Sequence, residues 1–342
     1  MRATNVPTLR LARPLENRDK TTMKIFIAYD GSEAANTAID SMRRAGLPSE
    51  GVEALVMSVG EVWLPPASAD DETFPATAPP GLKEAREHAE HVMQEARESA
   101  QRGAERVRQI FPRWRVTSEA ENGSPAFELL NRAEAWRADL IVVGSHGHTA
   151  IGRFVLGSVS QKILTEASTP VHVGRAATGT GASGERIVIG VDGSTGSRAA
   201  VKAAARRNWT AGSELRIVVA DDTPRGSPIW LLIPPVRDFV DEVRAEERTH
   251  SERMALEAVH ELRAGLSNDK ITVSSLVESG DPRSVLIRHA EEFGADCIFT
   301  GATGFSNRLE RLVLGSVSSA VAARAHCSVE VVRERNAVTD PQ

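Results

Sequence analysis

Short apolar, β-branched runs alternate with stretches of helical spacing along the first half of the chain. The runs predict five strands, at residues 24–30, 54–59, 115–121, 141–143 and 171–173. Between them, apolar positions three and four residues apart predict helices such as 34–45, and the charged stretch 83–110 predicts a long exposed helix. This alternation is typical of an α/β fold, a parallel sheet with right-handed crossovers and helices on both faces.

The same pattern starts again in the second half. Residues 186–192 repeat the first strand with its Asp-Gly-Ser ending, followed by counterparts of the later strands at 215–220, 271–278, 298–300 and 328–332. Residues 236–266 form a second long charged stretch. Repetition on this scale predicts two tandem copies of one domain, which suits a chain of 342 residues.

Changes in local composition suggest where the two copies begin and end. We expect a flexible extension at 1–22, a first domain at 23–175, a linker rich in small residues at 176–185, a second domain at 186–334 and a tail at 335–342. Met23 directly precedes the first strand and is an alternative start to Met1.

Glycines follow the fourth strand of each copy and return where the next helix begins. The motif consists of Gly144, Gly147, Gly157 and Ser158, repeated as Gly301, Gly304, Gly315 and Ser316. Glycine lets backbone N–H groups approach a ligand closely, and a helix N-terminus favours an anion. Tight turns also need glycine, so one copy alone does not distinguish a turn from a phosphate site. The recurrence favours a phosphate site.

In the first copy the spacing is Gly, two residues, Gly, nine residues, Gly-Ser, which resembles the ATP-binding members of the universal stress protein family. The second copy has ten intervening residues instead of nine. The resemblance implies two tandem Rossmann-like domains of the adenine nucleotide alpha hydrolase-like type. Each would have a five-stranded parallel sheet in the order 3-2-1-4-5. Since ligands bind where strand order reverses, Asp30 after strand 1 and Gly144 after strand 4 should meet.

The resemblance also assigns roles, with ATP and Mg²⁺ or Mn²⁺ as the expected ligands. Asp30 suits a ribose hydroxyl or the nucleotide-bound metal, although an Asx turn explains it equally well. Val59 matches a position whose backbone pairs with adenine. The glycine motif and Val159 would contact ribose and phosphates, and the second-copy counterparts are Asp192, Ala220 and the second glycine set. His146, His148 and Arg153 are further candidates for phosphate contacts.

These features favour a nucleotide-dependent regulatory module of the stress response. A slow ATP-hydrolysing enzyme and a non-nucleotide interaction scaffold are the alternatives. Phosphoryl transfer needs more positioned groups than Asp30, so no catalytic residue is predicted. The extra residue between Gly304 and Gly315 would turn the following helix by about 100° unless the loop absorbs it, which predicts weaker binding at the second site.

Composition adds mainly exclusions. No run approaches the roughly 18 apolar residues of a membrane helix, so we expect a cytoplasmic protein. A net charge of −5 argues against nucleic acid as the main partner. Cys297 and Cys327 lack metal-ligand spacing and predict buried, reduced thiols. Because family members pair their last strands, strands 171–173 and 328–332 should join the domains as an internal pseudo-dimer, with further homodimerisation open.

Overall fold

The computed structural model describes residues 22–62, 80–146, 156–176, 184–221, 234–302 and 314–333. All ten predicted strands are present in these ranges. They are β1 Met23–Ala28, β2 Val52–Gly60, β3 Arg115–Asn122, β4 Leu140–Gly144, β5 Val171–Gly174, β6 Arg186–Val191, β7 Glu214–Asp221, β8 Thr272–Ser279, β9 Cys297–Gly301 and β10 Ser328–Val332.

Helices follow the strands in the predicted alternation. They are α1 Glu33–Ser41, continued by a 3-10 turn at Met42–Arg44, α2 Pro80–Ile110, α3 Pro125–Ala135, α4 Ser158–Glu166, α5 Thr195–Ala205, α6 Pro234–Gly265, α7 Pro282–Phe293 and α8 Ser316–Arg324. None of the helices in the described part of the chain is both long and apolar enough to cross a membrane.

The ten strands form one sheet in the order β3-β2-β1-β4-β5-β10-β9-β6-β7-β8. Each half therefore has the order 3-2-1-4-5, with parallel pairing throughout the half. The predicted α/β fold of two tandem Rossmann-like domains is confirmed.

The central strands are apolar along their whole length because both faces of the sheet are covered. All five residues of β4 are buried, for example. On one face, α3, α4, α7 and α8 cover a single core that runs through both domains. On the other face, α1 with α2 and α5 with α6 cover two separate cores.

A glycine inside a long helix is explained by this packing. Gly103 lies in the last third of α2, where a Cβ atom would come within 2.9 Å of the Tyr29 ring and of Val56. The helix can therefore pass close to the ends of β1 and β2 only without a side chain here.

The two halves join through their last strands. β5 and β10 pair antiparallel, with Val171 opposite Val331 and Val173 opposite Val329. Arg175 donates from Nη2 to the carbonyl of Ala322 at 2.5 Å, near the C-terminus of α8. In the same way, Arg333 donates from Nη2 to the carbonyl of Leu164 at 2.6 Å, near the C-terminus of α4. The predicted internal pairing of the last strands is confirmed.

Candidate functional site

Three of the predicted site residues lie at or just after the C-terminal ends of adjacent strands. β1 lies between β2 and β4, with Ala28 paired to Met57 and Ile27 paired to Val142. Asp30, Val59 and Gly144 therefore belong to the strand ends around the point where strand order reverses. The strands β2, β1 and β4 are thus neighbours, as the expected strand order requires. That the three residues bind one ligand stays a prediction.

Asp30 shapes the start of α1. Its Oδ1 accepts the N–H of Ser32 at 2.9 Å, and the Ser32 hydroxyl oxygen accepts the N–H of Ala35 at 3.1 Å. Asp192 repeats the first of these bonds with Ser194 at 2.9 Å. The Asx turn considered from the sequence is thus formed in both domains. A carboxylate has acceptor sites beyond one N–H bond, so this turn is compatible with ligand binding.

Tyr29, immediately before Asp30, is closely held. Its hydroxyl donates to Oδ1 of Asn36 at 2.7 Å, and its carbonyl accepts the hydroxyl of Ser58 at 2.5 Å. Burial raises the pKa of the phenol, which outweighs the opposite effect of Arg102 and Arg106. The side chain is therefore neutral at pH 7 and fixes the strand end from which Asp30 projects.

Gly144 and Gly301 have a packing function that the sequence argument missed. A Cβ atom on Gly144 would lie 3.0 Å from the carbonyl carbon of Ala34, in the first turn of α1. On Gly301 it would lie only 2.4 Å from the carbonyl carbon of Gly196 in α5. Helix packing alone thus accounts for glycine at both positions. Their role in ligand approach stays a prediction.

The start of α4 differs from the start of α1. The N-cap residue is Gly157, and no side chain of the described residues caps the helix there, whereas Ser32 caps α1. The N–H of Gly157 donates to Ser145 at 2.8 Å and the hydroxyl of Ser160 to Gly144 at 2.7 Å, which fixes the helix to the end of β4. Ser158 and Val159 follow in the first turn. Backbone N–H groups at such a terminus, together with the helix dipole, form an anion-binding geometry.

The second domain repeats this helix start. Gly315 donates from its N–H to Ala302 at 2.7 Å, and the N-cap backbone has φ −65° and ψ 154°, against −64° and 154° for Gly157. Ser316 therefore begins α8 just as Ser158 begins α4. The 100° change in helix phase, expected unless the loop absorbed the extra residue, does not occur, because the N–H of Gly315 is hydrogen-bonded just after β9 as that of Gly157 is just after β4.

The two candidate sites differ in two contacts near the helix start. Ser318 donates to the carbonyl of Ala302 at 3.0 Å, one residue further along than the Gly144 carbonyl that Ser160 contacts. In the first domain the hydroxyl of Ser145 lies 2.9 Å from Nδ1 of His146, and Ala302 offers no such group.

The other predicted site residues either pack on the shared core or lie outside the described residues. Val59 and Ala220 lie near the ends of β2 and β7, paired with Glu121 and Glu278 and packed against the shared core. Val159 packs on the same core. Four candidates, Gly147, His148, Arg153 and Gly304, lie outside the described residues.

Ser160 and Ser318, which were not among the predicted residues, hold the helix starts of the two candidate sites through their hydroxyl groups. The identical tetrapeptides Gly157–Ser160 and Gly315–Ser318 were the available signal. Within the described ranges, no group of three His, Cys, Asp or Glu side chains is arranged to hold a metal ion. Cys297 and Cys327 are free and buried, as predicted.

Comparison with known proteins places this fold among relatives. The chain is 35% identical to a universal stress protein of Thermus aquaticus over 43% of its own length and 94% of that protein. It is also 35% identical to one from Methanocaldococcus jannaschii over 22% of its length, and this match spans about half of the relative, 46%. A universal stress protein structure from Archaeoglobus fulgidus, at 20% identity, has a TM-score of 0.54 and covers 91% of this chain and 98% of its own.

The sequence profile described as "Universal stress protein family" matches residues 21–175 and again residues 184–333. With both halves of the molecule matched and the fold shared, the chain belongs to the universal stress protein family, as a tandem two-domain member.

Proposed function

We propose that the chain is an ATP-binding regulatory module of a stress response, with one candidate nucleotide site in each domain. The observation that most supports this is the start of α4, whose first-turn N–H groups are not capped by any described side chain. The start of α4 lies at the same end of the sheet as Asp30, because it is hydrogen-bonded just after β4, the neighbour of β1. Phosphate oxygens would satisfy these donors and interact favourably with the helix dipole.

The other predicted residues complete one arrangement. The phosphates would lie against Gly157, Ser158 and Val159, the ribose against Asp30, and the adenine against the backbone at Val59. The single carboxylate of Asp30 suits Mg²⁺ or Mn²⁺ held mainly by the nucleotide phosphates, because Mg²⁺ commonly uses one or two carboxylates plus phosphate and water ligands. The metal would supply charge neutralisation of the phosphates.

The second site would use Asp192, Ala220, Gly301, Gly315 and Ser316. We propose that it binds ATP more weakly than the first. The reason is a difference in side chains, because Ser145 and His146 of the first domain are replaced by Ala302 and Thr303 in the second. Two equal, independent sites in a calorimetric titration would contradict this inequality.

We further propose domain limits at 23–175 and 186–334, a cytoplasmic location, and a binding rather than catalytic role. Mass spectrometry of the denatured, purified chain separates the functional alternatives. Co-purified ATP supports the binding module, ADP supports slow hydrolysis, and no nucleotide supports the scaffold.

Replacing Ser158 with proline tests the phosphate contact directly. Proline at the first position of a helix removes one N–H yet leaves the helix intact, and the extended backbone of Gly157 suits a following proline. Loss of a charge-assisted hydrogen bond of about 1.5–3 kcal/mol should weaken ATP binding by roughly ten- to a hundredfold.

Two controls isolate the backbone donor. Ser158→Ala keeps the N–H and should retain most of the affinity. Ser316→Pro makes the same change at the start of α8 and should leave the first site untouched. Gly147→Val is a complementary test of close backbone approach. Unchanged first-site affinity in Ser158→Pro, with an unchanged melting temperature, would contradict the assignment.

A further inference from the structure

A buried charged cluster lies where the two domains join. His172 of β5 is directly opposite Glu330 of β10, and each side chain is only 1% exposed. Nδ1 of His172 lies 3.6 Å from Oε2 of Glu330, and Arg207 donates from Nη2 to Oε1 at 2.5 Å. Ser41 of α1 completes the cluster, with its hydroxyl 3.1 Å from Nε2 of His172.

His172 and Glu330 occupy equivalent positions in the two domains. The pairs Gly157 with Gly315, His172 with Glu330, and Arg175 with Arg333 are each separated by 158 residues. β5 and β10 thus pair about a pseudo-twofold axis that passes between residues 172 and 330. If either strand paired in this register with its counterpart in a second chain, identical residues would face each other at this point.

Most contacts at the junction could also form if a strand paired with the identical strand of a second chain. The valines on both strands are equivalent, and Arg175 and Arg333 contact helix ends in the same way from either side. These features cannot distinguish the other half of the chain from a second copy.

The charged cluster can distinguish them. Two Glu330 side chains would bring two carboxylates together in a buried site, and two His172 side chains would have no carboxylate partner. Arg207 does not remove this difference. Counting from the N-cap residues Ser32 and Ser194, its counterpart in the first domain is Ala45, so two paired β5 strands would have no arginine. Two paired β10 strands would each bring their own Arg207, but neither carboxylate would face an imidazole. Buried groups left without a complementary partner are strongly destabilising.

A second ion pair across the junction is also one-sided. Arg44, after α1, donates from Nη2 to Oδ2 of Asp296 at 2.7 Å, and the Asp296 side chain is buried. The equivalent residues are Arg206 and Asp139. Both aspartates accept the N–H of a residue in the first strand of their domain, Lys24 at 2.7 Å for Asp139 and Arg186 at 2.8 Å for Asp296. Only Asp296 also contacts an arginine of the other domain, since Arg206 is exposed. The domains therefore differ in charge at two independent points of contact.

We propose that His172, Glu330 and Arg207 form a charge-complementary recognition cluster through which the last strand of each domain selects the opposite half of the chain over a second copy of itself. The surface of β5 fits a strand that carries a carboxylate at the central position. The surface of β10 fits a strand that carries an imidazole there.

Two full-length variants test this selection. His172→Glu gives a chain with glutamate on both strands, and Glu330→His gives one with histidine on both. Hydrogen exchange of the β5 and β10 amides should accelerate by at least about tenfold in each variant alone. When the two variants are mixed, native mass spectrometry should show a 1:1 complex, because each strand then finds a complementary partner. Glu121→His, an exposed exchange on β3, is the control and should leave protection unchanged.

The double variant His172→Glu with Glu330→His covers the case in which a single variant does not fold. It restores one carboxylate opposite one imidazole within a chain, without the Arg207 contact. We expect its melting temperature to lie above that of the less stable single variant and below that of the parent. Parent-like protection in both single variants, no 1:1 complex from folded single variants, or a double variant no more stable than the weaker single would each overturn the proposal.

Discussion

Gly301→Ala should destabilise the protein strongly in the absence of any nucleotide. The added Cβ would lie 2.4 Å from the carbonyl carbon of Gly196 and 2.7 Å from the N atom of Ser197, both in the first turn of α5. Ordinary contact begins near 3.4 Å, so α5 and β9 must separate by about 1 Å. Backbone atoms on both sides leave no flexible side chain that could move instead.

The expected cost follows from this displacement. Overpacking a core costs about 1–3 kcal/mol, and we expect the upper part of that range because α5 contributes Ala200, Val201 and Ala204 to a core cluster. At Gly144 the nearest atoms are 3.0 Å away, which requires a shift of only about 0.4 Å. Gly144→Ala should cost about 1 kcal/mol.

Thermal unfolding of the nucleotide-free chain, followed by tryptophan fluorescence, measures both effects. With roughly 2–4 °C per kcal/mol for domains of this size, Gly301→Ala should lower the melting temperature by about 6–12 °C and Gly144→Ala by about 2–4 °C. A Gly301→Ala protein that melts within about 2 °C of the parent, or a reversed order of the two variants, would refute the packing explanation.

Further predictions concern the junction and the thiols. Arg333→Ala removes the hydrogen bonds to the last carbonyls of α4 and should cost about 1.5–3 kcal/mol, measured by urea unfolding. Burial tends to raise the pKa of Glu330, but the charge of Arg207 and the nearby His172 hold it below its usual range. Its stabilising effect is therefore complete above about pH 4.3 and lost as the pH falls through the lower folded-state pKa, a slope that Glu330→Gln should remove in acid titrations. Burial raises the pKa of Cys327 to about 12 and that of Cys297 well above normal, so thiol reagents at pH 8 should react only after unfolding.

The sequence predicted the elements because their signals are local. Apolar runs such as that at the end of β4 have both faces buried, and the long charged helices keep one face in solvent. Strand order came from the family resemblance, which the duplicated motif revealed. Helix ends shifted by a few residues, since proline at 80 and 234 starts α2 and α6 earlier than the charge pattern suggested.

The candidate site was predicted in outline but not in its packing. The Asp-Gly-Ser turn and the glycine before α4 have short-range signals. The reason for glycine at 144 and 301 lies in a helix that crosses the strand, and no local pattern records that crossing. Despite the extra residue in the second loop, α8 starts as α4 does, because Gly315 and Ser318 both donate to the carbonyl of Ala302, just after β9.

The junction cluster could not be predicted at all. Ser41, His172, Arg207 and Glu330 are far apart in sequence, and only the register between β5 and β10 brings them into contact. A prediction that the strands pair does not specify which residues face each other.

The antiparallel meeting of β5 and β10 also decides which way the molecule faces. The strands of the first domain all run toward one edge of the sheet and those of the second toward the other. β1 and β4 thus end at one edge, and β6 and β9 end at the opposite edge. The two candidate sites therefore lie at opposite edges of the sheet, and a ligand would reach each of them from a different side of the molecule.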